Sequence, residues 1–174
     1  MTRPAAVLST LIGLAAVAGP AGAQTPTGSM ATTAQVVSGP ITLNVLRNLD
    51  FGQVPTGVPT TVAPNAAGAA AVQAIGSPNT LVNISFTLPT VLDNIQAQPG
   101  VTMPIVFLNN SARWRRARNN PNGGTQFNPA NGAVGRFGPR RNPTLYIWLG
   151  GRVTPSAAQT PGIYTGTVVV TLEY

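Results

Sequence analysis

The sequence has 174 residues, of which ten are arginine and three are acidic, with no lysine, histidine or cysteine and a net charge of +7. That inventory excludes imidazole and thiol chemistry, disulfides, and metal sites built on Cys or His. Charged residues make up 7% of the chain, against about 25% in an ordinary soluble domain. Apolar residues still reach 43%, so a core can form, and the length suggests one domain.

In chain order, the first element is a processing signal. Arg3 is the only charge before Arg47. Ala5 to Ala18 is apolar and uncharged, Pro20 ends the run, and Ala21-Gly22-Ala23 follows. A positive start, a short apolar stretch and an A-x-A site read as a signal peptide over residues 1–23, cleaved to leave Gln24 first. The stretch is shorter than the ~20 residues of a membrane span. No later segment reaches that length, so the mature chain is expected to carry no transmembrane segment. Export to the periplasm, the outer surface or the medium is the expectation, and without cysteine the fold must rest on its core alone.

Residues 24–40 form either an N-terminal extension or a first strand, with Thr33 to Val37 the strand candidate. The sandwich domain is expected over 41–174. Ile41 to Leu46 alternates, with Ile41, Leu43 and Val45 inward. Short strands are predicted at Phe51 to Val54, Thr60 to Ala63 and Ala70 to Ile75. Leu81 to Leu88 points Val82, Ile84, Phe86 and Leu88 inward. Val101 to Leu108 aligns Val101, Met103, Ile105 and Phe107, and Pro104 within it argues for an edge strand or a bulge. Leu145 to Leu149 and Arg152 to Thr154 are predicted to form a hairpin across Gly150-Gly151. The last run, Ile163 to Tyr174, places Tyr164, Val168, Val170, Leu172 and Tyr174 on one face and Thr165, Thr167, Thr171 and Glu173 on the other. Eight to ten short strands without a helical period predict an all-β, antiparallel immunoglobulin-like sandwich, with a closed barrel as the alternative.

Residues 109–143 read as a long Arg/Asn-rich loop insert. They hold eight asparagines, five glycines, four prolines and no acid. They also hold seven of the nine arginines that follow the signal: Arg113, Arg115, Arg116, Arg118, Arg136, Arg140 and Arg141. Structureless loops beyond about 15 residues are usually functional or disordered. With Trp114 interleaved, these arginines are the candidate anion-binding residues, because the guanidinium fork suits carboxylate and phosphate and an indole stacks on a base or sugar.

Three pieces in order carry a family resemblance. They are Ile41-Thr-Leu-Asn44 with Asn48-Leu-Asp-Phe-Gly52, then Asn83 to Pro89 running on to Met103-Pro-Ile-Val-Phe107, then Pro161 to Tyr174 with its Gly-x-Tyr-x-Gly start. Together they resemble a bacterial family of exported β-sandwiches known as domain of unknown function 4402. The resemblance implies an immunoglobulin-like fold and export, and no activity. More loosely, the ends resemble spore-coat-U-like and chaperone–usher fimbrial subunits. Such subunits receive a missing strand from a neighbour's N-terminal extension. Here Gln24 to Pro40 is the corresponding segment, with Thr32, Ala34 and Val36 as its pocket-filling positions, although Ala-Gln-Val-Val is a meagre donor.

Catalytic chemistry is thin. The carboxylates are Asp50, Asp93 and Glu173, and nothing in the sequence pairs them as a glycosidase requires. Asp50 reads as the cap of a turn before Phe51-Gly52, and Glu173 lies on the exposed face of the last strand. No Gly-x-Ser-x-Gly, P-loop or dinucleotide pattern is present. The expectation is a non-enzymatic, exported structural or surface protein with no catalytic residue, cofactor or metal. Its partners are other copies or surface subunits, reached by strand donation, or anionic polymers such as polysaccharide, lipopolysaccharide or extracellular DNA.

Overall fold

The computed structural model describes residues 39–96 and 100–174. The predicted signal peptide and the strand candidate Thr33–Val37 lie outside the described residues. Among the described residues there are thirteen short strands and no helix. In chain order they are β1 (Thr42–Arg47), β2 (Thr60–Val62), β3 (Ala70–Ile75), β4 (Leu81–Thr87), β5 (Val91–Asn94), β6 (Thr102–Val106), β7 (Ala112–Arg116), β8 (Thr125–Phe127), β9 (Ala133–Arg136), β10 (Thr144–Leu149), β11 (Gly151–Val153), β12 (Tyr164–Thr165) and β13 (Val169–Glu173).

They form an antiparallel β-sandwich. One sheet has the order β1-β3-β10-β7-β8, a second β12-β5-β6-β11-β2, and a third β13-β4-β9. The second and third sheets share consecutive stretches of chain. β4 continues into β5 past Pro89, and β12 into β13 past Gly166, so β13 pairs with β4 while β12 pairs with β5. The layer facing the first sheet is thus one surface bent at these two points. Among the described residues both layers keep free edges, so the strands form open sheets and not the closed barrel.

The core has two parts. The first lies between the first and third sheets and holds Ala74, Val82, Ile84, Phe137, Leu145 and Ile147, with Trp114, Phe86, Phe127, Val170 and Leu172 against it. The second lies under the second sheet and holds Leu92, Met103, Ile105 and Val153, with Leu49, Phe51, Val54, Phe107 and Tyr164 against it. The inward faces predicted for Val82 and Ile84, and for Met103 and Ile105, are the buried ones. This is the period-two pattern of strands with one face on a core.

Several local expectations are overturned. The hairpin across Gly150-Gly151 does not form: β10 pairs with β3 and β7, whereas β11 pairs with β2 and β6. The chain instead passes from one sheet to the other at Gly150. Only glycine fits there, because a Cβ would run into the Val62 carbonyl oxygen. Pro104 is not at an edge, since β6 pairs with β5 and β11. Its carbonyl accepts from Thr154 N–H at 3.0 Å, just beyond the last residue of β11, so the missing proline N–H falls where that ladder ends. Phe51 to Val54 is not a strand. The Asp50 carboxylate accepts from Gly52 N–H at 2.8 Å, as the turn-cap reading expected, and Gly52 is left-handed at φ 64°. That turn drops Phe51 and Val54 onto the second core. The stretch 109–143 is not a structureless loop, because it supplies β7, β8 and β9. The last run breaks into β12 and β13, with its face assignment kept: Val168, Val170 and Leu172 are half-buried and Thr167, Thr171 and Glu173 exposed.

Substituting Gly150→Ala should lower stability by about 2 kcal/mol through overpacking against backbone. In a domain of this size that corresponds to a midpoint drop of about 4–8 °C in thermal unfolding followed by circular dichroism. An unchanged midpoint would show that the crossing tolerates a Cβ.

Candidate functional site

β7 carries the first predicted arginines, and strand alternation divides them. Trp114 points inward and packs on the first core. Arg113 and Arg115 lie on the opposite face, where their register partners on β10 are Trp148 and Tyr146. Those two rings stack with centroids 6.1 Å apart, and the Tyr146 hydroxyl accepts from Gln73 at 2.9 Å. Both arginines brace the turn that follows. Arg113 Nη1 donates to Pro121 O at 3.0 Å, and Arg115 Nη1 donates to the carbonyls of Asn120 and Asn122. The turn is closed by Asn122 N–H on Asn120 Oδ1 at 2.8 Å and tied to the loop after β2 by Asn65 and Asn122. Arg113 Nε is buried without a partner, and its planar fork is spent on the Pro121 carbonyl.

The remaining predicted arginines gather at one end of the sandwich. Ala117, left-handed at φ 57°, ends β7. Its N–H and that of Gly138 both donate to Thr144 O, at 2.9 and 3.0 Å, which sets the turn carrying Arg140 and Arg141 beside Arg118. Arg116 Nη2 reaches Asn79 Oδ1 at 3.5 Å, and Arg136 Nε reaches Asn79 O at 2.8 Å. Arg116, Arg118, Arg136, Arg140 and Arg141 are all exposed. The structure therefore brings five of the eight predicted anion-binding residues together. It assigns Arg113 and Arg115 to bracing and Trp114 to core packing, with the indole also lining a shallow hollow beside Arg115, Arg116 and Arg118.

A second feature was not legible in the sequence. Among the described residues β1 pairs only with β3, and β13 only with β4. Between these edges the sandwich stays open as a groove of about 1130 Å³. Val45 on β1 and Val168 and Val170 by β13 form its lips, with Val72 and Ile147 on one wall and Phe86 and Ile105 on the other. Along β1 every residue is exposed, and Val45, predicted inward, is 66% exposed. The alternation of Ile41–Leu46 correctly marks a strand with an apolar face, but pattern alone cannot tell a covered face from one awaiting a cover. β1 enters beside Ser77, where Gly39 N–H donates to Ser77 Oγ at 2.9 Å. β13 ends at the same place, where Ser77 N–H donates to the Tyr174 hydroxyl at 2.8 Å. The two lips therefore run in opposite directions.

The carboxylates lie on separate elements: Asp50 in the turn after β1, Asp93 on β5 and Glu173 on β13. No protein-family model matches the chain, and no curated protein matches it. Among the described residues no helix is long and apolar enough to cross a membrane.

The division of roles along β7 is testable by denaturation. Trp114→Ala should cost about 3 kcal/mol of unfolding free energy in urea, as for removal of a large core ring. Arg118→Ala, whose side chain forms no internal bond, should leave the midpoint unchanged. Equal effects at the two positions would contradict the assignment.

Proposed function

We propose that this protein is an exported, non-catalytic surface subunit that assembles by taking an extended strand from a neighbouring copy into the groove between β1 and β13. The supporting observation is the groove itself. It is mainly apolar, it reaches Val45 on β1 and Val170 on β13, strands with one free edge each among the described residues, and it exceeds the ~300–1,000 Å³ typical of small-molecule sites.

Exposed strand edges are templates for another chain, and monomeric proteins usually blunt them with lysine, proline, a bulge or short length. β2 and β8, at other edges, are three residues each. β1 and β13 span six and five residues and carry no proline, and the register shift in β1 is confined to the end of its pairing, between Val45 and Arg47. Leu43, Val45, Leu46 and Val169 are 40–66% exposed on them, an apolar surface of the kind that marks an interaction site. A guest strand would gain main-chain hydrogen bonds from both lips while its alternate side chains enter the groove, which is β-augmentation.

Residues 24–38 of a second copy are the guest this reading favours. Thr32, Ala34 and Val36 fall on one face of the guest, and their small size suits a groove whose walls are already lined by Phe86 and Ile147. The resemblance to exported sandwich families and the predicted signal peptide agree with this role.

Light scattering on the exported protein should show a ladder of oligomers. A chain beginning at Ile41 should be less stable and should be rescued by added Gln24–Pro40 peptide. Val45→Arg in the full chain should abolish the ladder while leaving the strand content by circular dichroism unchanged. Stable monomers in both lengths would overturn strand donation.

A further inference from the structure

We propose that the end of the sandwich carrying Arg116, Arg118, Arg136, Arg140 and Arg141 binds an anionic polysaccharide. The inference is independent of strand donation, since none of these residues lines the groove.

The cluster is built rather than incidental. Asn79, left-handed at φ 59°, is its hub. Its N–H donates to Gly138 O at 2.9 Å, its carbonyl accepts from Arg136 and its side-chain oxygen from Arg116. Asn142 closes the neighbouring turn, with its N–H on Pro139 O at 2.8 Å and its Nδ2 on Ala117 O at 2.8 Å. Arg140 and Arg141 thus form the corner of a fixed turn that is fastened to the residue before Arg118. Three chain segments far apart in sequence are locked together by hydrogen bonds with no carboxylate among them, and what they present to solvent is guanidinium.

No acid lies on any of these segments. By register, the nearest acidic side chain is Glu173, which faces Asn83 on β4, whose other partner is Val134, two residues before Arg136. Arg136 gives its Nε to Asn79 instead. Arg118, Arg140 and Arg141 have no internal partner among the described residues. Five cations held close together without counter-charge repel one another, and that repulsion is relieved by an external polyanion. Guanidinium forks match carboxylate, sulfate and phosphate oxygens in pairs.

The aromatic inventory selects the polymer class. Single-stranded nucleic acid is held by bases stacked on exposed rings. Here Phe137 is fully buried, the Tyr174 ring leans on Phe137 with its hydroxyl bound to Ser77, and Trp114, half-buried against the first core, is the one ring that reaches the hollow beside Arg116 and Arg118. A single part-covered ring cannot stack successive bases, so the surface reads mainly charge, which suits a saccharide backbone bearing acidic groups.

The test uses the purified protein with polygalacturonate and heparin as carboxylate and sulfate probes, and a 20-base-pair DNA duplex as competitor class. Binding by the wild type should fall steeply with salt, because each contacted anion releases counterions. Arg118→Ser, Arg140→Ser and Arg141→Ser combined should weaken binding to either saccharide at least tenfold at low salt and flatten the salt dependence by about two to three units of slope. Their side chains make no internal bonds, so the unfolding midpoint should stay in place. The control carries Arg152→Ser, Thr61→Glu and Thr154→Glu, which lowers net charge equally elsewhere on the surface, and it should bind within about threefold of wild type. Equal loss in the control would reduce the effect to overall charge and overturn the proposal. Tighter binding of the duplex than of either saccharide would overturn it too, as would no saccharide binding at low salt.

Discussion

Both cores depend on one strand crossing from sheet to sheet. Thr144–Val153 is a nearly unbroken run of buried residues. Its first half, β10, is the central strand of the first sheet and places Leu145 and Ile147 in the first core. Its second half, β11, sits inside the second sheet and places Val153 in the second core. Strands that switch sheets at a bend are how packed sheets make corners. Gly150 makes the bend sharp enough for β2 to close against it. If that crossing moved, β3, β7, β6 and β2 would lose their shared register together.

With so few charges, the loops are held by neutral means. Asparagine and aspartate oxygens accept from the backbone N–H two residues on at Asp50, Asn94, Asn120 and Asn128, the Asx-turn geometry. Arg47, Arg113, Arg115 and Arg136 donate to backbone carbonyls. Such hydrogen bonds from a charged donor are stronger than neutral ones and satisfy carbonyls that no ladder reaches. The Arg/Asn-rich composition of 109–143 therefore serves in part as internal scaffolding, through Arg113, Arg115 and the asparagine turns, while Arg116, Arg118, Arg136, Arg140 and Arg141 face outward.

The all-β class was legible because period two survives wherever one face is buried, as in Leu81–Thr87 and Val169–Glu173. The errors have physical causes. Gly150-Gly151 carries the dipeptide of a hairpin, and nothing local distinguishes a turn back from a step across. Pro104 suggests an edge, yet the absent N–H lies past the end of a three-residue neighbour, a fact fixed by tertiary contact. In 109–143 the short strands are masked by arginine, whose outward face on β7 covers Trp148 and Tyr146 rather than meeting open solvent. The cluster at Asn79 joins residues 57 apart in sequence, beyond any local signal. The groove was illegible because it is defined by a strand pairing that the described chain does not make.

The latch between Ser77 and Tyr174 joins residues 97 apart. β4 waits nearly that long, 82 to 90 residues, for its register partners on β13, on the groove side. At about 5–20 residues per second of synthesis, the delay is roughly 5–20 s. During that interval Val82, Ile84 and Phe86 have no neighbour on one side, and pairings between distant strands are slow to form even in a complete chain. The nascent protein is therefore most vulnerable to wrong partners along the same side of the sandwich that stays open in the finished fold.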